Sequence, residues 1–400
     1  MRSGAILLAG GFRDQLGDPS HLARTPAETF QRRSPSKSKR RAFMGETTMQ
    51  PKGLLEVQGT IDVTQFWPAG RSDADTAKIL VTIATDSVRF RENNARPFRV
   101  THFLDGATVG LPSNGKRKPA VNAKGQLTIR LQGIDAPELH YQPSALEAAE
   151  FPGLDKAGFA AKKKQYHDAK VVHPYRQLLG ATTSKALHDF LAGSGNLALP
   201  CRVFTHVDVP NDVFDKYGRM VADIEVTIGG TMTNINQWTV RTGATFPAFY
   251  SSMLDAEINT LRALAKPAQS KKLGVWKHLS KTIAAFDFTL LEPKIDETSV
   301  LATDAGPVIF PKLYRRQTNW AARNKAAVSN ATLQEFLDAQ KKDQCYRTDD
   351  FLANGEHAAQ KFLFATLVKA GKTILFEPDG IVVKEDVASI TIHGPNVDKF

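Results

Sequence analysis

Cysteine is nearly missing from these 400 residues: only Cys201 and Cys345 occur, far apart in the chain. That spacing excludes a disulfide framework and a zinc-ligand pattern. Long apolar runs are also missing, and nothing approaches the roughly 18 residues that mark a membrane-spanning helix, so no membrane partner is expected. The one apolar stretch near the start, 5–12, contains two glycines and lacks a convincing cleavage site. No signal peptide is read there, and the cytoplasm is the default location. Acidic residues are in deficit, with 41 Asp and Glu against 52 Lys and Arg for a formal charge of +11. Such an excess suits a polyanionic partner, because neutralised phosphates release counterions. Part of it is local, since residues 1–50 hold nine basic and four acidic side chains.

The length allows two domains. Residues 1–50 carry Pro19, Pro26, Pro35 and the basic run 32–41 with little apolar periodicity, which predicts a basic, disordered tail. From Leu54 the pattern turns to β. Leu55, Val57, Ile61 and Val63 alternate with polar residues, further strand-like stretches follow near 79–83, 88–90 and 98–110, and 116–119 reads as a basic loop. Helical periodicity then appears over 177–191 and in Leu254, Ile258, Leu261 and Ala265, with Pro267 expected to end the second helix. Several strands followed by helices argue for a small closed sheet with helices against it.

Chemistry concentrates in Gln126 to Glu138, QLTIRLQGIDAPE. Ile129 and Leu131 share one strand face and Arg130 takes the other. Gly133 and Pro137 break the strand, so Asp135 and Glu138 should sit on a turn near the Arg130 guanidinium. Downstream, Asp215-Lys216-Tyr217-Gly218-Arg219 feeds a second strand, with Met220, Ala222, Ile224 and Val226 on one face. Two arginines and two carboxylates suit phosphodiester chemistry: forked guanidinium groups neutralise phosphate oxygens in a geometry lysine cannot copy. Hard carboxylate and carbonyl oxygens, here Asp135 and Ala136, can hold a divalent ion.

These motifs resemble the staphylococcal nuclease (thermonuclease) family, whose signatures are R-L-x-x-x-D-[TA]-P-E and D-K-Y-G-R. Two weaker echoes follow in register: NINQWTVRTG at 234–243 and LGVW at 273–276. The resemblance spans roughly 53–280 and implies a five-stranded OB-fold barrel with packed helices. The implied activity is a metal-dependent nuclease, a Ca²⁺-dependent endonuclease acting on DNA and/or RNA, with Ca²⁺ or another divalent cation as cofactor. Glu138 would bind or deprotonate the attacking water while Arg130 and Arg219 clamp the phosphate. Lys216, Tyr217 and Tyr250 would be weaker substrate contacts. The competing reading is a non-catalytic nucleic-acid-binding OB-fold protein. No protein partner is inferred.

The family also places a D-G-D-T-like turn ahead of its second strand, and two stretches compete for it. Asp105-Gly106-Ala107-Thr108 lies nearer the central strand but has alanine at the ligand position, whereas Asp73-Ala74-Asp75-Thr76 keeps both carboxylates. An alanine methyl cannot coordinate a hard cation, and long surface insertions cost little. Asp75 is therefore the expected ligand, with Asp135 and Ala136, and Asp73 in support. Residues 139–174 look like an insertion beside the site. From 285 to 400 a smaller accessory α+β domain is expected, with helices near 332–342 and 357–370 and strands 373–376 and 381–384 joined by a turn. Lys312, Arg315, Arg316 and Arg323, beside Tyr314 and Trp320, are either a contact for single strands or a solvated charged face over buried aromatics.

Overall fold

The computed structural model describes residues 53–68, 72–82, 88–91, 98–99, 108–110, 117–280, 307–340, 343–369, 373–374, 376–385 and 392–393. The tail expected over 1–50, and Asp105 and Ala107 of the nearer turn, lie outside these.

Five strands close a ring: β1 (Gly53–Asp62), β2 (Thr76–Val81), β3 (Gln126–Leu131), β4 (Ala198–Val207) and β5 (Met220–Ile228). β1 pairs antiparallel with β2 and with β4, β2 with β3, and β4 with β5. The ring shuts through β3 and β5, which run parallel with Val221 opposite Arg130. Closure removes the exposed edges that an open sheet would present.

Alternation decides which side chains fill the ring. Leu55, Val57, Ile61, Ala77, Ile79, Ile129, Val203, Met220, Ala222 and Ile224 are all fully buried, and each large one contributes roughly 1.5–3 kcal/mol. Their polar neighbours, Arg130 and Asp223 among them, consequently face outward. A hairpin strand, Val88–Arg91, continues β1 outside the ring. Arg117–Pro119, expected as a loop, is instead a strand on Thr108–Gly110; that pairing partner was not evident from the local sequence.

Helix α1 (Lys156–Asp168) lies in the inserted segment, and α2 (Gly180–Ala192), α3 (Ile235–Thr242) and α4 (Asp255–Ser270) pack against the barrel. Helix α4 passes through Pro267 rather than stopping there. In the last turn the ring removes a hydrogen bond without breaking the helix, and the Lys271 amide still donates to the Pro267 carbonyl at 3.0 Å. Helix α3 is tied to the barrel by a buried side chain. Asn236 Nδ2 donates to the carbonyls of Gln132 (2.9 Å) and Ala222 (3.3 Å), and its Oδ1 accepts from the Ile224 amide (3.3 Å). The two weaker motif echoes also meet: the Val275 amide donates to the Gly243 carbonyl at 2.8 Å, and Trp276 packs edge-on against Phe246.

The C-terminal part contains α5 (Pro311–Lys325), α6 (Leu333–Gln340), β6 (Gln344–Arg347), α7 (Thr348–Ala358) and β7 (Ile381–Val383). Its mixed sheet has β7 antiparallel to β6 and parallel to Phe249–Tyr250, a segment that follows the barrel strands. Two expectations fail here. The helix expected over 357–370 is not found among the described residues: α7 lies before it and ends at Ala358, followed by Phe362–Leu363 and a 3₁₀ turn, Phe364–Leu367. The strands near 373 and 381 do not pair with each other, because Thr373–Ile374 pairs with Val368–Lys369 and β7 with β6. Local turn signals at 377–380 said nothing about these distant partners.

The inserted segment packs on the C-terminal part. Leu146, Tyr166 and Val171 form one apolar cluster with Ala322, Ala326 and Val328, and Arg323 holds Glu150 at 2.6 and 2.8 Å. Replacing Asn236 with Ala should cost about 1–3 kcal/mol for each buried backbone group left unpaired. Urea unfolding measures this, and a loss below about 0.5 kcal/mol would mean that water replaces the amide.

Candidate active site

Two local features fix the loop that leaves β3. Gly133 adopts φ +73°, and a Cβ there would come within 2.4 Å of Leu261 and 2.9 Å of Met253, so the turn needs glycine. The chain then reverses into Ile134–Asp135, which pairs with Phe246–Pro247 and pins Asp135. At the other end, Gln177 exchanges bonds with Glu138, its amide donating to the Glu138 carbonyl (2.8 Å) and its Oε1 accepting from the Glu138 amide (3.2 Å). A Cβ on Gly180 would lie 2.5 Å from the Glu138 carbonyl oxygen; the start of α2 thus abuts the loop.

Register brings the turn before β2 to the same place. Thr76 lies opposite Arg130, the Leu131 amide donates to the Asp75 carbonyl (2.8 Å), and the Ala136 amide donates to Asp75 Oδ2 (2.9 Å). Arg130 joins the carboxylates: Nη1 is ion-paired with Asp75 and Nη2 with Asp135 Oδ1 at 2.7 Å. Asp73 Oδ1 accepts from the Leu139 amide at 3.0 Å.

A second guanidinium arrives from α5. Arg315 Nη1 and Nη2 bond both oxygens of Asp135, at 3.1 and 2.9 Å, and Nη1 also pairs with Glu138. Lys312, Arg315, Arg316 and Arg323, expected as one basic patch, instead divide among separate partners. Lys312 and Arg316 both hold Asp343, Arg323 holds Glu150, and Arg315 enters the loop after β3. The P-K-L-Y opening with proline at the first turn and buried Leu313, Tyr314, Gln317 and Thr318 could have revealed the helix, but nothing local could have paired it with residue 135.

Arg219 is paired with Asp215 rather than with any of these carboxylates. Its Nε and Nη2 bond Asp215 Oδ2 at 2.7 Å, and its guanidinium lies over Tyr217. Tyr217 is 58% exposed, and Lys216 sits over its ring. Arg219, Lys78 and Lys118 are close enough that the two cations add to burial in lowering the Lys118 pKa, against the pull of Asp215. Tyr250 is half-buried and within electrostatic reach of Arg130 and Arg315.

Four carboxyl groups, Asp73, Asp75, Asp135 and Glu138, thus share two guanidinium groups. Burial pushes Glu138 up to about 8; Arg315 opposes this, and Asp73, Asp135 and Asp75 reinforce it. Asp73 rises to about 7 through burial and the charge of Asp75. Asp135 goes the other way: burial would raise it, but Arg315 and Arg130 together hold it below the usual carboxylate range. Among the described residues no group of three or more His, Cys, Asp or Glu side chains is arranged to hold a metal as it stands, and Arg130 and Arg315 bond the carboxylate oxygens. The donor set nevertheless fits a hard divalent cation, being all oxygen and in excess over its guanidinium partners.

A closed five-stranded mixed barrel bearing this loop defines the class, an OB-fold with a polar cluster on its flank. Residues 128–278 match the family model described as staphylococcal nuclease homologue, and the chain carries a staphylococcal nuclease homologue domain there. The match begins inside β3, so β1, β2, Asp73 and Asp75 precede it and α5 follows it. No curated protein matches the chain.

The raised carboxyls set a pH dependence. Above about pH 4 an unfolded chain has released these protons while the folded cluster still binds them, so stability falls as pH rises through about 7 and 8. In chelator, Tm should drop between pH 6 and 9, and the drop should be smaller in Glu138→Gln. Parallel melting curves for the two proteins would contradict a protonated Glu138.

Proposed function

We propose that the protein is a phosphodiester hydrolase, a Ca²⁺-dependent endonuclease for DNA and/or RNA. The observation that carries this reading is the convergence of Arg130, Asp75, Asp135 and Glu138 from the turn before β2, β3 and the loop after it. Asp75, Asp135 and the carbonyl of Ala136 would hold the cation. Bound there, it supplies Lewis-acid polarisation of a phosphate oxygen and a more acidic water.

The chain's own groups supply the rest. Glu138 orients the attacking water and takes its proton, which requires an ionised carboxylate; added positive charge in the cluster brings its pKa down from about 8. Arg130 faces the developing charge on the phosphate, and Arg219 takes a phosphate oxygen on leaving Asp215. Lys216, Tyr217 and Tyr250 line the approach, where a +11 chain attracts a polyanion. Segment 53–280 is the proposed nuclease-like unit, 285–400 the accessory unit and 1–50 a basic tail. The pairing of Arg219 with Asp215 favours the second reading, a barrel that binds nucleic acid without cutting it.

Incubation with end-labelled single-stranded DNA and RNA in Ca²⁺, Mg²⁺ or chelator separates the two. The nuclease reading expects Ca²⁺-dependent products with 3′-phosphate ends, while binding without cleavage in every condition establishes the second reading. Glu138→Gln should lower turnover by at least about 10²-fold at nearly unchanged binding. Asp75→Ala should raise the Ca²⁺ concentration for half-maximal activity about tenfold or more, and an unshifted curve would remove Asp75 from the metal site. Arg219→Lys should also be severely impaired, because an ammonium lacks the fork; full activity would make that arginine structural.

A further inference from the structure

The three arginines near the loop differ in which donors remain open. Arg130 spends Nη1 on Asp75 and Nη2 on Ile134 and Asp135. Its four terminal hydrogens are taken. Arg219 turns its side edge, Nε and Nη2, onto Asp215. Arg315 engages the cluster end-on, through both Nη atoms. Among the described residues its Nε takes no partner, and its side chain is 26% exposed. The edge formed by Nε–H and the second Nη2–H, the pair of parallel donors that matches two oxygens of one phosphate, is free only on Arg315.

We propose that Arg315 is a phosphate-binding residue of this site, its open edge gripping a nucleic-acid phosphate beside Arg130. That the nucleic acid is a substrate rests on the nuclease reading, but the anion contact can be read by binding alone.

The alternative is a detachable plug that blocks Asp135 and Glu138 until α5 moves away. How α5 is held argues against it. Leu313 and Thr318 are fully buried. Tyr314 Oη donates to the Arg176 carbonyl (2.9 Å), Gln177 Nε2 donates to the Ile309 carbonyl (2.5 Å), Asn319 Nδ2 donates to Tyr141 Oη (2.8 Å), and the Ser144 amide donates to Asn319 Oδ1 (2.8 Å). These bonds flank Arg315 on both sides along the helix and reach both the loop before α2 and the inserted segment. Withdrawing the arginine would break them all, whereas a preorganised donor gains from such anchoring because little entropy is lost when the anion arrives.

The full chain is tested with a fluorescein-labelled single-stranded oligonucleotide in chelator, read by anisotropy, and with cleavage in Ca²⁺. Arg315→Ala should weaken binding about 10- to 100-fold, and Arg315→Lys should recover only part of it, since lysine restores charge without the fork. Circular dichroism reports folding, and if the alanine variant fails to fold, Arg315→Lys still decides, because an ammonium can neutralise Asp135 and Glu138. If wild type binds but does not cut, the nuclease reading fails while the Kd series still judges Arg315. Unchanged or tighter binding in Arg315→Lys, or tighter Ca²⁺ binding with faster cleavage in Arg315→Ala, would overturn the proposal in favour of a plug.

Discussion

Asp135 is held ionised in a nearly dry place, with its side chain 1% exposed and two guanidinium groups converging on one of its oxygens. A lone carboxylate at that depth would protonate rather than bear the desolvation cost. Once the pair of arginines is present, however, the surrounding arrangement is constrained. Arg130 must stay on the outer face of β3, which fixes the register of β3 against β2 and brings Asp75 alongside. Arg315 must reach in from α5, which fixes where the C-terminal helix lies. Removing one partner would leave a buried charge with half its compensation, so both elements are bound to this one oxygen pair.

The inserted segment and the C-terminal helix depend on each other in the same way. The two segments share one apolar seam. Helix α1 buries only Tyr166, and that ring packs with Leu146, Val171, Ala322, Ala326 and Val328 between the two. The Arg323 pair with Glu150 and the Asn319 bonds to Tyr141 and Ser144 then fix the orientation. The insertion is thus a seat for α5, and the seat places Arg315. The mixed sheet through Phe249–Tyr250 and β7 holds the other side, so this guanidinium is positioned by contacts from residues 141 to 383.

Legibility in the sequence followed the range of the interactions. The barrel could be read because alternation along β1, β3 and β5 is a local consequence of one buried face, and the loop after β3 because glycine, proline and carboxylates sit together in QLTIRLQGIDAPE. The choice of the 73–76 turn rested on what an alanine cannot ligate, and that turn lies at Arg130. Pro267 misled because a proline in a last turn costs one bond, not the helix. The strand partners of 117–119, 373–374 and 381–383 were out of reach, since short strands take their pairing from distant chain. For the same reason Arg315 looked like one basic residue among four.

The limits of the family match sharpen the physical point. Residues 128–278 contain Arg130, Asp135, Glu138 and Arg219, yet the two contacts that balance the first three come from outside that span. Asp75 approaches from the N-terminal side and accepts from the Ala136 amide, while Arg315 approaches from the C-terminal side. With Asp75 removed, Arg130 loses one of its two carboxylate partners. With Arg315 removed, Glu138 loses the guanidinium that lowers its pKa and keeps the carboxylates of Asp73, Asp135 and Asp75 that raise it beside burial. The cluster is therefore a property of the whole described fold: the matched segment carries the recognisable residues, and the flanking strands and helix set the charges those residues can hold.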